Sequence, residues 1–535
     1  MTQRGAAWES DAISEETIRR ESPQGGVADV VEPVVRSGQR VRTLVEVKSR
    51  AARLAAGLVS LGVGPGDRYA LVMRNETAFL EASLAAAAIG AVPVPANWHW
   101  GGSDLGHLLR DSGSKVVIVH SDLVAAVEAQ APEGLIIVEA EVPEEVAEAY
   151  HLEEVTLTGK YVSLETLVAR HEPVAAVTDA PPLGVIYTSG TTGLPKGVLR
   201  NRVPAGELPK LLQASMGMLK LNPGGNALLP APLYHAAPNS NAMFAAALGM
   251  NITIMPKFDA EEFLCLVQEH RIQSVQMVPT MFTRMLRLPQ EVRESYDVSS
   301  LQAIVHAAAP CSPETKQAVI DWFGPIVYEY YGGSEVGPYV FCDSAEALAH
   351  PGAVGKPAYG SDVRILDIVT GEPLPAGTPG VIYGRGIDGW PDFTYIGNHA
   401  KRREIERDGY ITVGDIGYLD EDGFLYLTDR VSDMVISGGV NIYPAEIEAC
   451  LSRLEGVADV AVFGIPDEDF GESLAAHVEL LPGAQVTVDD VRDFVATNLA
   501  RYKVPRVVVF DEALPRDDSG KLFKRRLKEL YHKPA

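Results

Sequence analysis

Short apolar runs and helically spaced apolar positions alternate along the first two thirds of the chain. Leu44, Val47, Ala51, Leu54 and Leu58 recur at intervals of three and four residues, which is typical of the buried face of a helix. Continuous apolar runs predict buried strands at 69–73, 91–95, 116–119, 135–138, 183–187, 227–229, 252–255, 274–278, 303–306 and 326–330. This alternation indicates an α/β fold of mainly parallel sheets covered by helices, with ligands at the carboxyl ends of the strands.

Three residues are expected to mark helix ends. Gly62 follows the first helical pattern as a stop signal, and Ser103 is expected to cap the start of a later helix. Ser312, followed by Pro313, predicts another helix start, because proline suits the first helical position.

The pattern changes after residue 350. Glycine and proline become frequent between 351 and 428, and short strands are predicted at 363–368, 381–383, 410–413 and 424–427, so we expect a small β-rich subdomain. Beyond Arg430, strands at 460–463, 475–480 and 507–510 and a helix at 488–499 indicate a smaller α+β domain. The predicted organisation is an irregular arm at 1–40, a large domain at 41–430 and a C-terminal domain at 431–535.

Composition narrows the classes of partner and compartment. The 535 residues carry a net charge of −25, which disfavours nucleic acid as a partner. The four cysteines show no CxxC spacing, so reduced thiols are expected rather than disulfides or a zinc site. The N-terminus lacks an apolar signal core, and the alanine-rich stretch 82–96 is too short to span a bilayer. We therefore expect a cytoplasmic protein without a transmembrane segment; the sequence leaves open whether it is a homodimer.

The densest polar segment follows the predicted strand that ends at Tyr187. Residues 188–197 contain three glycines, four hydroxyl side chains and one lysine, Lys196. Glycines let the backbone approach a ligand, and hydroxyl groups, backbone N–H groups and a lysine together suit a polyphosphate. The segment is not a Walker A loop, because Gly197 follows Lys196 where that motif has Ser or Thr.

Three further segments that follow predicted strands suit a nucleotide. Residues 307–310 have three alanines and a proline, against which a flat ring can lie. Residues 330–335 combine aromatic faces, glycines, a hydroxyl and a carboxylate that can bind Mg²⁺. Asp415, after Gly414, can face the hydroxyls of a ribose. Each segment alone also fits a turn, a helix cap or a core tyrosine, but together they indicate a nucleotide site.

These segments resemble the motifs of the adenylate-forming superfamily, which includes acyl-CoA synthetases, stand-alone adenylation domains and firefly luciferase. The matching motifs stand in family order and span about residues 40–530: 187–198, 232–235, 331–335, 410–415, 429–430, 438–448 and 515–521. The resemblance implies that a carboxylic acid reacts with ATP to give an acyl-adenylate and pyrophosphate, after which the thiol of coenzyme A displaces AMP. It also implies that the C-terminal domain is mobile and changes pose between these steps.

The resemblance assigns roles position by position. The implied β- and γ-phosphate contacts are Thr188, Ser189, Gly190, Thr191, Thr192 and Lys196. The implied adenine and ribose contacts are Ala308, Ala309, Pro310, Tyr330, Tyr331, Gly332, Asp415 and Arg430. The catalytic candidates are Ser334 at the α-phosphate, Glu335 as Mg²⁺ ligand, Lys521 at the carboxylate and α-phosphate, and His235 as a wall or gate of the acid pocket. Gly438 and Gly439 are expected to line the path of the pantetheine arm of coenzyme A.

Three positions depart from the usual family pattern. Ser334 stands where threonine is common, which keeps a hydroxyl group, and Ser432 occupies the hinge position where aspartate or lysine is common. Pro238 replaces a common glycine beside the acid pocket. Candidate cations for the phosphates of coenzyme A are Arg200, Arg202, Lys503 and Arg506, although for each residue taken singly a solvent-exposed surface position is the favoured interpretation.

The acid is expected to be hydrophobic. The alanines at 245–247 and 307–309 indicate either room for a bulky acid or close packing of a helix against the sheet, and the sequence leaves both open. The segments expected to line its pocket are 234–243, 278–281 and 307–309, which carry no early aspartate to pair an α-amino group. The leading hypothesis is an acyl-CoA ligase. An acyl-AMP ligase that loads a carrier protein in trans and a catalytically silent nucleotide-binding protein are the alternatives.

Overall fold

The computed structural model describes residues 32–153, 155–175, 184–188, 195–204, 206–437, 440–467, 469–516 and 522–531. In chain order, the strands are β1 (Val34–Ser37), β2 (Arg40–Thr43), β3 (Arg68–Val72), β4 (Val92–Pro95), β5 (Val116–His120), β6 (Ile136–Ala140), β7 (Val162–Ser163), β8 (Val185–Thr188), β9 (Lys196–Arg200), β10 (Asn226–Leu229), β11 (Asn251–Ile254), β12 (Ser274–Met277), β13 (Ala303–His306), β14 (Val327–Gly333), β15 (Gly337–Cys342), β16 (Ala353–Pro357), β17 (Asp362–Leu366), β18 (Gly380–Arg385), β19 (Phe393–Tyr395), β20 (Glu406–Arg407), β21 (Tyr410–Ile411), β22 (Asp415–Leu419), β23 (Leu425–Arg430), β24 (Val435–Ser437), β25 (Val440–Ile442), β26 (Val457–Asp467), β27 (Gly471–Leu480) and β28 (Val507–Asp511).

The α-helices, in the same order, are α1 (Leu44–Ser60), α2 (Thr77–Ile89), α3 (Gly102–Asp111), α4 (Val124–Glu128), α5 (Glu144–Tyr150), α6 (Leu164–Arg170), α7 (Leu208–Leu219), α8 (Ala236–Ala247), α9 (Ala260–Glu269), α10 (Pro279–Leu286), α11 (Gln290–Glu294), α12 (Pro313–Phe323), α13 (Ser344–Ala349), α14 (His399–Glu404), α15 (Pro444–Leu451), α16 (Val488–Asn498) and α17 (Lys524–Lys528). Across these described ranges, no helix is both long and apolar enough to cross a membrane.

Two sheets carry the parallel part of the fold. The order β1-β11-β10-β12-β13-β14 is parallel throughout, with β2 antiparallel on the outer edge. A second sheet, β4-β3-β5-β6-β7, is also parallel. One apolar core joins helices α1, α2 and α8 to strands of both sheets. The predicted α/β class with mainly parallel, helix-covered sheets is confirmed.

The main sheet begins inside the stretch predicted as an irregular arm. Strand β1 pairs with β11 through Val35 and Ile252, and both side chains are buried. The pattern missed this strand because only four residues of it alternate and its partner lies more than two hundred residues away. From residue 34 the chain therefore belongs to the sheet.

The β-rich segment continues the parallel sheet rather than standing apart from it. From β14 the sheet runs antiparallel through β15, β16, β23, β22, β18, β21 and β20, with β17 on β18. A separate sheet holds the C-terminal part of the chain, in the order β25-β24-β27-β26, with β28 parallel to β27. The helices α15 and α16 supply part of its core.

Helix ends follow local capping chemistry. Helix α1 begins with a reciprocal capping box between Thr43 and Glu46, and Gly62 lies just beyond its end at φ +87°, as the pattern predicted. Ser312 accepts the backbone N–H of Thr315 at the start of α12, which confirms that helix start. The prediction for Ser103 is wrong, because α3 begins one residue earlier with Gly101 at its N-cap position.

Candidate active site

Neighbouring parallel strands bring two of the predicted loops to one edge of the main sheet. In the register of β12, β13 and β14, Met277 lies beside His306, and His306 lies beside Glu329. The segments that follow, 278–281 and 307–310, and the end of β14 therefore leave the sheet together. This is the carboxyl edge at which an open α/β sheet binds ligands.

The loop of residues 307–310 has an exposed and strained backbone. Ala308 lies at φ +73°, in the left-handed region that costs an L-residue about 1–2 kcal/mol. Ala307 is buried, whereas Ala308 and Pro310 are exposed and Ala309 is half-buried. Strained non-glycine positions recur at ligand sites, and the small exposed side chains here leave the backbone open to a flat ring.

Tyr331, Asp415 and Arg430 meet through strand register. Asp415 opens β22 directly opposite Arg430 at the end of β23, and their side chains form an ion pair at 2.9 Å between Oδ1 and Nε. The Tyr331 hydroxyl donates to Asp415 Oδ2 at 2.6 Å. Asp415 raises the pKa of Arg430, and burial raises the pKa of Tyr331 well above its usual value. The three residues therefore form one polar array with an aromatic face.

Two residues of the same segment have different surroundings from those expected. Tyr330 precedes Tyr331 on the strand, so it points to the opposite face, where it packs against the apolar core. Gly332 is required by the β14–β15 hairpin, since a Cβ there would lie 2.1 Å from the carbonyl oxygen of Gly337. The close approach made by this glycine is thus to the neighbouring strand.

The hairpin of β8 and β9 brings together the two ends of the predicted phosphate loop, residues 188–196. Thr188 lies opposite Lys196 in the antiparallel register. His107 on α3 contacts the carbonyl oxygen of Pro195 through Nε2 at 2.8 Å, and Tyr187 donates to Asp111 on the same helix at 2.7 Å. Helix α3 therefore contacts β8 and the residue that directly precedes β9. The predicted site residues that lie outside the described residues are Ser189, Gly190, Thr191, Thr192, Gly438, Gly439 and Lys521.

The Ser334–Glu335 turn is held by Tyr395, which the sequence did not single out, and by Arg200, which was predicted for a different role. Tyr395 on β19 donates its hydroxyl to Glu335 Oε1 at 3.0 Å. Arg200 on β9 donates to the backbone carbonyl of Ser334, and its guanidinium lies 4.9 Å from the ring centre of Trp390. Burial lowers the pKa of Arg200 to about 10, against the opposing effects of Glu335 and Asp392.

The surroundings of Glu335 fit a Mg²⁺ ion bound together with a nucleotide. Mg²⁺ is usually held by one or two carboxylates, with the remaining positions filled by phosphates and water. Glu335 supplies one half-buried carboxylate beside the hydroxyl-bearing Ser334. Among the described residues, no group of three or more His, Cys, Asp or Glu side chains is arranged to hold a metal by itself.

The cations predicted for coenzyme A are bound to groups within the protein. Arg200 is committed to the Ser334 turn, and Arg202 donates to the carbonyl oxygen of Gly90 at 2.8 Å. Lys503 pairs with Glu446, and Arg506 pairs with Asp467 at 2.7 Å. The interpretation of these four as phosphate ligands is therefore not supported by their contacts.

The expected acid-pocket segment forms the start of α8. His235 occupies the N-cap position, and its ring lies 4.4 Å from that of Tyr234. Pro238 lies in the first turn, where proline leaves no helical hydrogen bond unmade. Ala245 and Ala246 are fully buried in the core, so they pack the helix rather than provide space for an acid.

The chain changes from the main sheet to the C-terminal sheet at a short turn that contains Ser432. Asp433 and Met434 donate their backbone N–H groups to the Arg430 carbonyl at 3.0 and 2.9 Å. Asp429 Oδ2 accepts the N–H of Ala445 at the start of α15, at 3.0 Å. Burial raises the pKa of Asp429 to about 6. The last residues of β23 therefore contact both sides of the predicted hinge.

Comparison with protein families finds two matches in chain order. Residues 28–388 match the family described as AMP-binding enzyme, and residues 446–521 match the AMP-binding enzyme C-terminal domain. The first match contains Tyr331 and the Ser334–Glu335 turn, the second ends at Lys521, and Asp415 and Arg430 lie between the two matched ranges.

Individual relatives match over nearly the whole chain. The long-chain-fatty-acid–CoA ligase FadD13 of Mycobacterium tuberculosis is 32% identical, over 91% of this chain and 93% of its own. A feruloyl-CoA synthase of an Amycolatopsis species is 33% identical, over 93% and 95%. The crystal structure of ATP-bound MatB from Rhodopseudomonas palustris superposes with a TM-score of 0.79 at 26% identity, over 95% and 97%.

Proposed function

The chain belongs to the AMP-binding enzyme family, and on that premise we propose that it is an ATP-dependent acyl-CoA ligase acting on a hydrophobic carboxylic acid. It is an AMP-forming acid–thiol ligase, and ATP and coenzyme A are its cosubstrates. One carboxylate oxygen of the acid attacks the α-phosphorus of ATP, and the bond to pyrophosphate breaks. The coenzyme A thiolate then attacks the acyl carbon, and AMP leaves with the bridging oxygen.

The observation that carries this proposal is the polar array of Tyr331, Asp415 and Arg430 beside the Ser334–Glu335 turn. An aromatic face suits adenine, and a carboxylate held by a guanidinium suits the two ribose hydroxyls. Ser334 and Glu335 follow Tyr331 on the same stretch of backbone, and strands β22 and β23 bring Asp415 and Arg430 to Tyr331. Contacts for adenosine and for the α-phosphate are thereby brought together from three strands.

The remaining roles extend this arrangement along ATP. Thr188 and Lys196 begin and end the loop proposed for the β- and γ-phosphates, and Ser334 donates to the α-phosphate. Lys521 stabilises the charge that develops on the carboxylate and α-phosphorus, which is the kind of electrostatic contribution that dominates phosphoryl transfer. Glu335 would hold Mg²⁺, which when bound offsets the negative charge of the phosphates.

The acid class is argued from side chains and from relatives. Segments 234–243 and 278–281 supply apolar and neutral groups, and Tyr234 and His235 pack against each other at the start of α8. The two curated relatives are named for long-chain fatty acids and for feruloyl-CoA, both of which have largely apolar acyl groups. We propose a hydrophobic acid, with its length and branching open.

The second half-reaction is proposed to use a different pose of residues 431–535. The turn at Ser432 is the proposed hinge, and Gly438 and Gly439 are proposed to face the pantetheine arm in that pose. A location in the cytoplasm and a homodimer stay predictions from the sequence.

The test is pyrophosphate release with a panel of fatty and aromatic acids, in the presence and absence of coenzyme A. Acid-dependent release, followed by acyl-CoA formation when coenzyme A is added, is the expected result. Acyl-adenylate without thioester would contradict coenzyme A as acceptor and favour a carrier protein. No pyrophosphate with any acid would contradict the ligase activity itself.

A further inference from the structure

The small sheet β8-β9-β19 connects the phosphate loop to the Ser334–Glu335 turn. Strand β9 pairs with β8 on one side and with β19 on the other. Its first residue, Lys196, closes the phosphate-loop hairpin, and its last residue, Arg200, lies opposite Phe393. Two parts of the nucleotide site that are distant in sequence are thus fixed to one three-stranded unit.

Tyr395 is the point at which this unit contacts the Glu335 carboxylate. Its side chain is buried in the core beneath the turn, and its hydroxyl donates to Glu335 Oε1 at 3.0 Å. The ammonium group of Lys196 lies 5.9 Å from the centre of the same ring. The ring of Tyr395 is buried and lies against both Glu335 and Lys196, so it has little freedom to move. The direction of its hydroxyl is therefore fixed.

Arg200 fixes the backbone of the same turn. Its guanidinium donates to the carbonyl oxygens of Ser334 and Pro391, and it lies over Trp390. Trp390 in turn fills the space beside Gly337, where a Cβ would lie 2.2 Å from the indole nitrogen. The backbone of the turn and the Glu335 side chain are therefore held separately, by β9 and by β19.

We propose that Tyr395 is a positioning residue that aims the Glu335 carboxylate at the metal of bound Mg·ATP. This rests on the proposed function, since Glu335 is the proposed Mg²⁺ ligand. A free glutamate side chain samples several rotamers, and only some direct an oxygen toward the phosphates. A hydrogen bond to Oε1 from a fixed hydroxyl selects among these rotamers and leaves Oε2 to bind the ion.

The test removes only the hydroxyl, with the Y395F variant. Its matched control is Y296F, because Tyr296 also donates to a glutamate, Glu261 Oε1 at 3.0 Å, on an exposed surface away from the site. The measurement is calorimetric binding of ATP without any acid, over a range of Mg²⁺ concentrations. Y395F should raise the Mg²⁺ concentration for half-maximal ATP binding about tenfold, since a hydrogen bond to a charged group is lost. Y296F should match the wild type.

A double-mutant comparison separates positioning from general stability. If Tyr395 acts through Glu335, adding Y395F to an E335Q protein should change the Mg²⁺ requirement by less than about twofold. Thioester formation from a supplied acyl-adenylate, which needs no pyrophosphate contact, should be unchanged in Y395F.

Three outcomes would overturn the proposal: a Y395F protein that binds Mg·ATP like Y296F, one that binds it more tightly, or a full tenfold effect of Y395F in the E335Q background. Failure of the proposed function has a different signature. In that case the wild-type protein makes no acyl-adenylate with any acid, whatever the behaviour of Y395F.

Discussion

Single residues of the proposed nucleotide site are held by partners from distant parts of the chain. Tyr331 donates to Asp415, which lies 84 residues away, and Tyr395 donates to Glu335, which lies 60 residues away. These contacts orient polar groups before a ligand arrives. Because these groups are already ordered, less conformational entropy is lost when a ligand binds. The array therefore suits a site that holds ATP in one geometry.

His306 gives a residue-scale prediction about pH. Its side chain is fully buried on β13, and neither ring nitrogen has a hydrogen-bond partner among the described residues. Burial and, to a smaller extent, Lys316 on α12 together lower the pKa of His306 from its usual 6.5 to about 4, against the opposing effect of Glu329 on β14. Between these two values the unfolded chain binds more protons than the folded one, so stability rises with pH and is lost on acidification.

Lowering the pH from 6.5 to 5 should therefore cost about 1.5 kcal/mol of unfolding free energy through His306 alone. Urea unfolding of the wild type and of His306→Gln at the two pH values measures the difference. The wild type should lose about 1.5 kcal/mol more than the variant, since glutamine does not titrate. An equal loss in both proteins would show that His306 is not the titrating group.

At this scale, the sequence identified the site residues that stand in dense motifs but not the residues that hold them in place. Tyr331, Asp415 and Arg430 each stand in a motif, and the structure brings them together. Tyr395 carries no such signal, because its partner is distant and its own segment is an ordinary glycine- and proline-rich one. Arg200 was interpreted as a surface cation, since its burial depends on strands that pair far apart in sequence.

At the scale of elements, a buried ion pair connects α12 to β14, the strand that carries Tyr331. Lys316 on α12 forms a buried ion pair with Glu329 on β14, and it also donates to the carbonyl oxygen of Ala353 on β16 at 3.2 Å. Glu329 lies two residues before Tyr331 on the same strand. The ion pair therefore sets how α12, β14 and β16 pack below the site.

We expect Lys316→Met and Glu329→Leu each to destabilise the protein by about 3–5 kcal/mol, because each leaves an unpaired buried charge. The double variant should cost clearly less than the sum of the two, since it removes both charges at once. Urea unfolding of the wild type, the two single variants and the double variant at one pH gives the four free energies of unfolding that this double-mutant cycle compares. Additive losses would mean that the two side chains do not depend on each other.

Most elements could be predicted because their periodicity is local. The buried runs at 116–119 and 303–306 became β5 and β13 with almost the same bounds. Strand β1 was missed because its pairing with β11 is not local. The cap at Ser103 was misplaced because a serine close to a helix start satisfies the pattern, whereas Gly101 occupies the N-cap position.

At the scale of the whole molecule, the order of the sheet strands is what the sequence could not provide. Alternating strands and helices imply parallel sheets, but not that the β-rich segment extends the main sheet through β15 and β16. The two parts of the chain on either side of Ser432 also touch at a second place, where Arg287 donates to the carbonyl oxygen of Ala458 at 3.3 Å. A change of pose would have to break this contact.

Lys521 tests whether the two half-reactions use different poses. Lys521→Ala should slow acyl-adenylate formation by about 10²–10³-fold, because a cation at the developing charge is lost. Thioester formation from a supplied acyl-adenylate should fall much less. Single-turnover assays of each half-reaction measure the two rates, with Arg525→Ala as a control on α17, where Arg525 pairs with the exposed Glu529. Equal losses in both half-reactions would contradict a pose change of the C-terminal domain.

The central claim is that the acid is activated as an acyl-adenylate, and an isotope label tests it most directly. A hydrophobic acid with both carboxylate oxygens replaced by ¹⁸O is converted with ATP and coenzyme A, and the products are examined by mass spectrometry. Attack on the α-phosphorus predicts AMP that carries one ¹⁸O, unlabelled pyrophosphate and an acyl-CoA that keeps the other ¹⁸O. Label in inorganic phosphate together with ADP, or unlabelled AMP, would contradict the account.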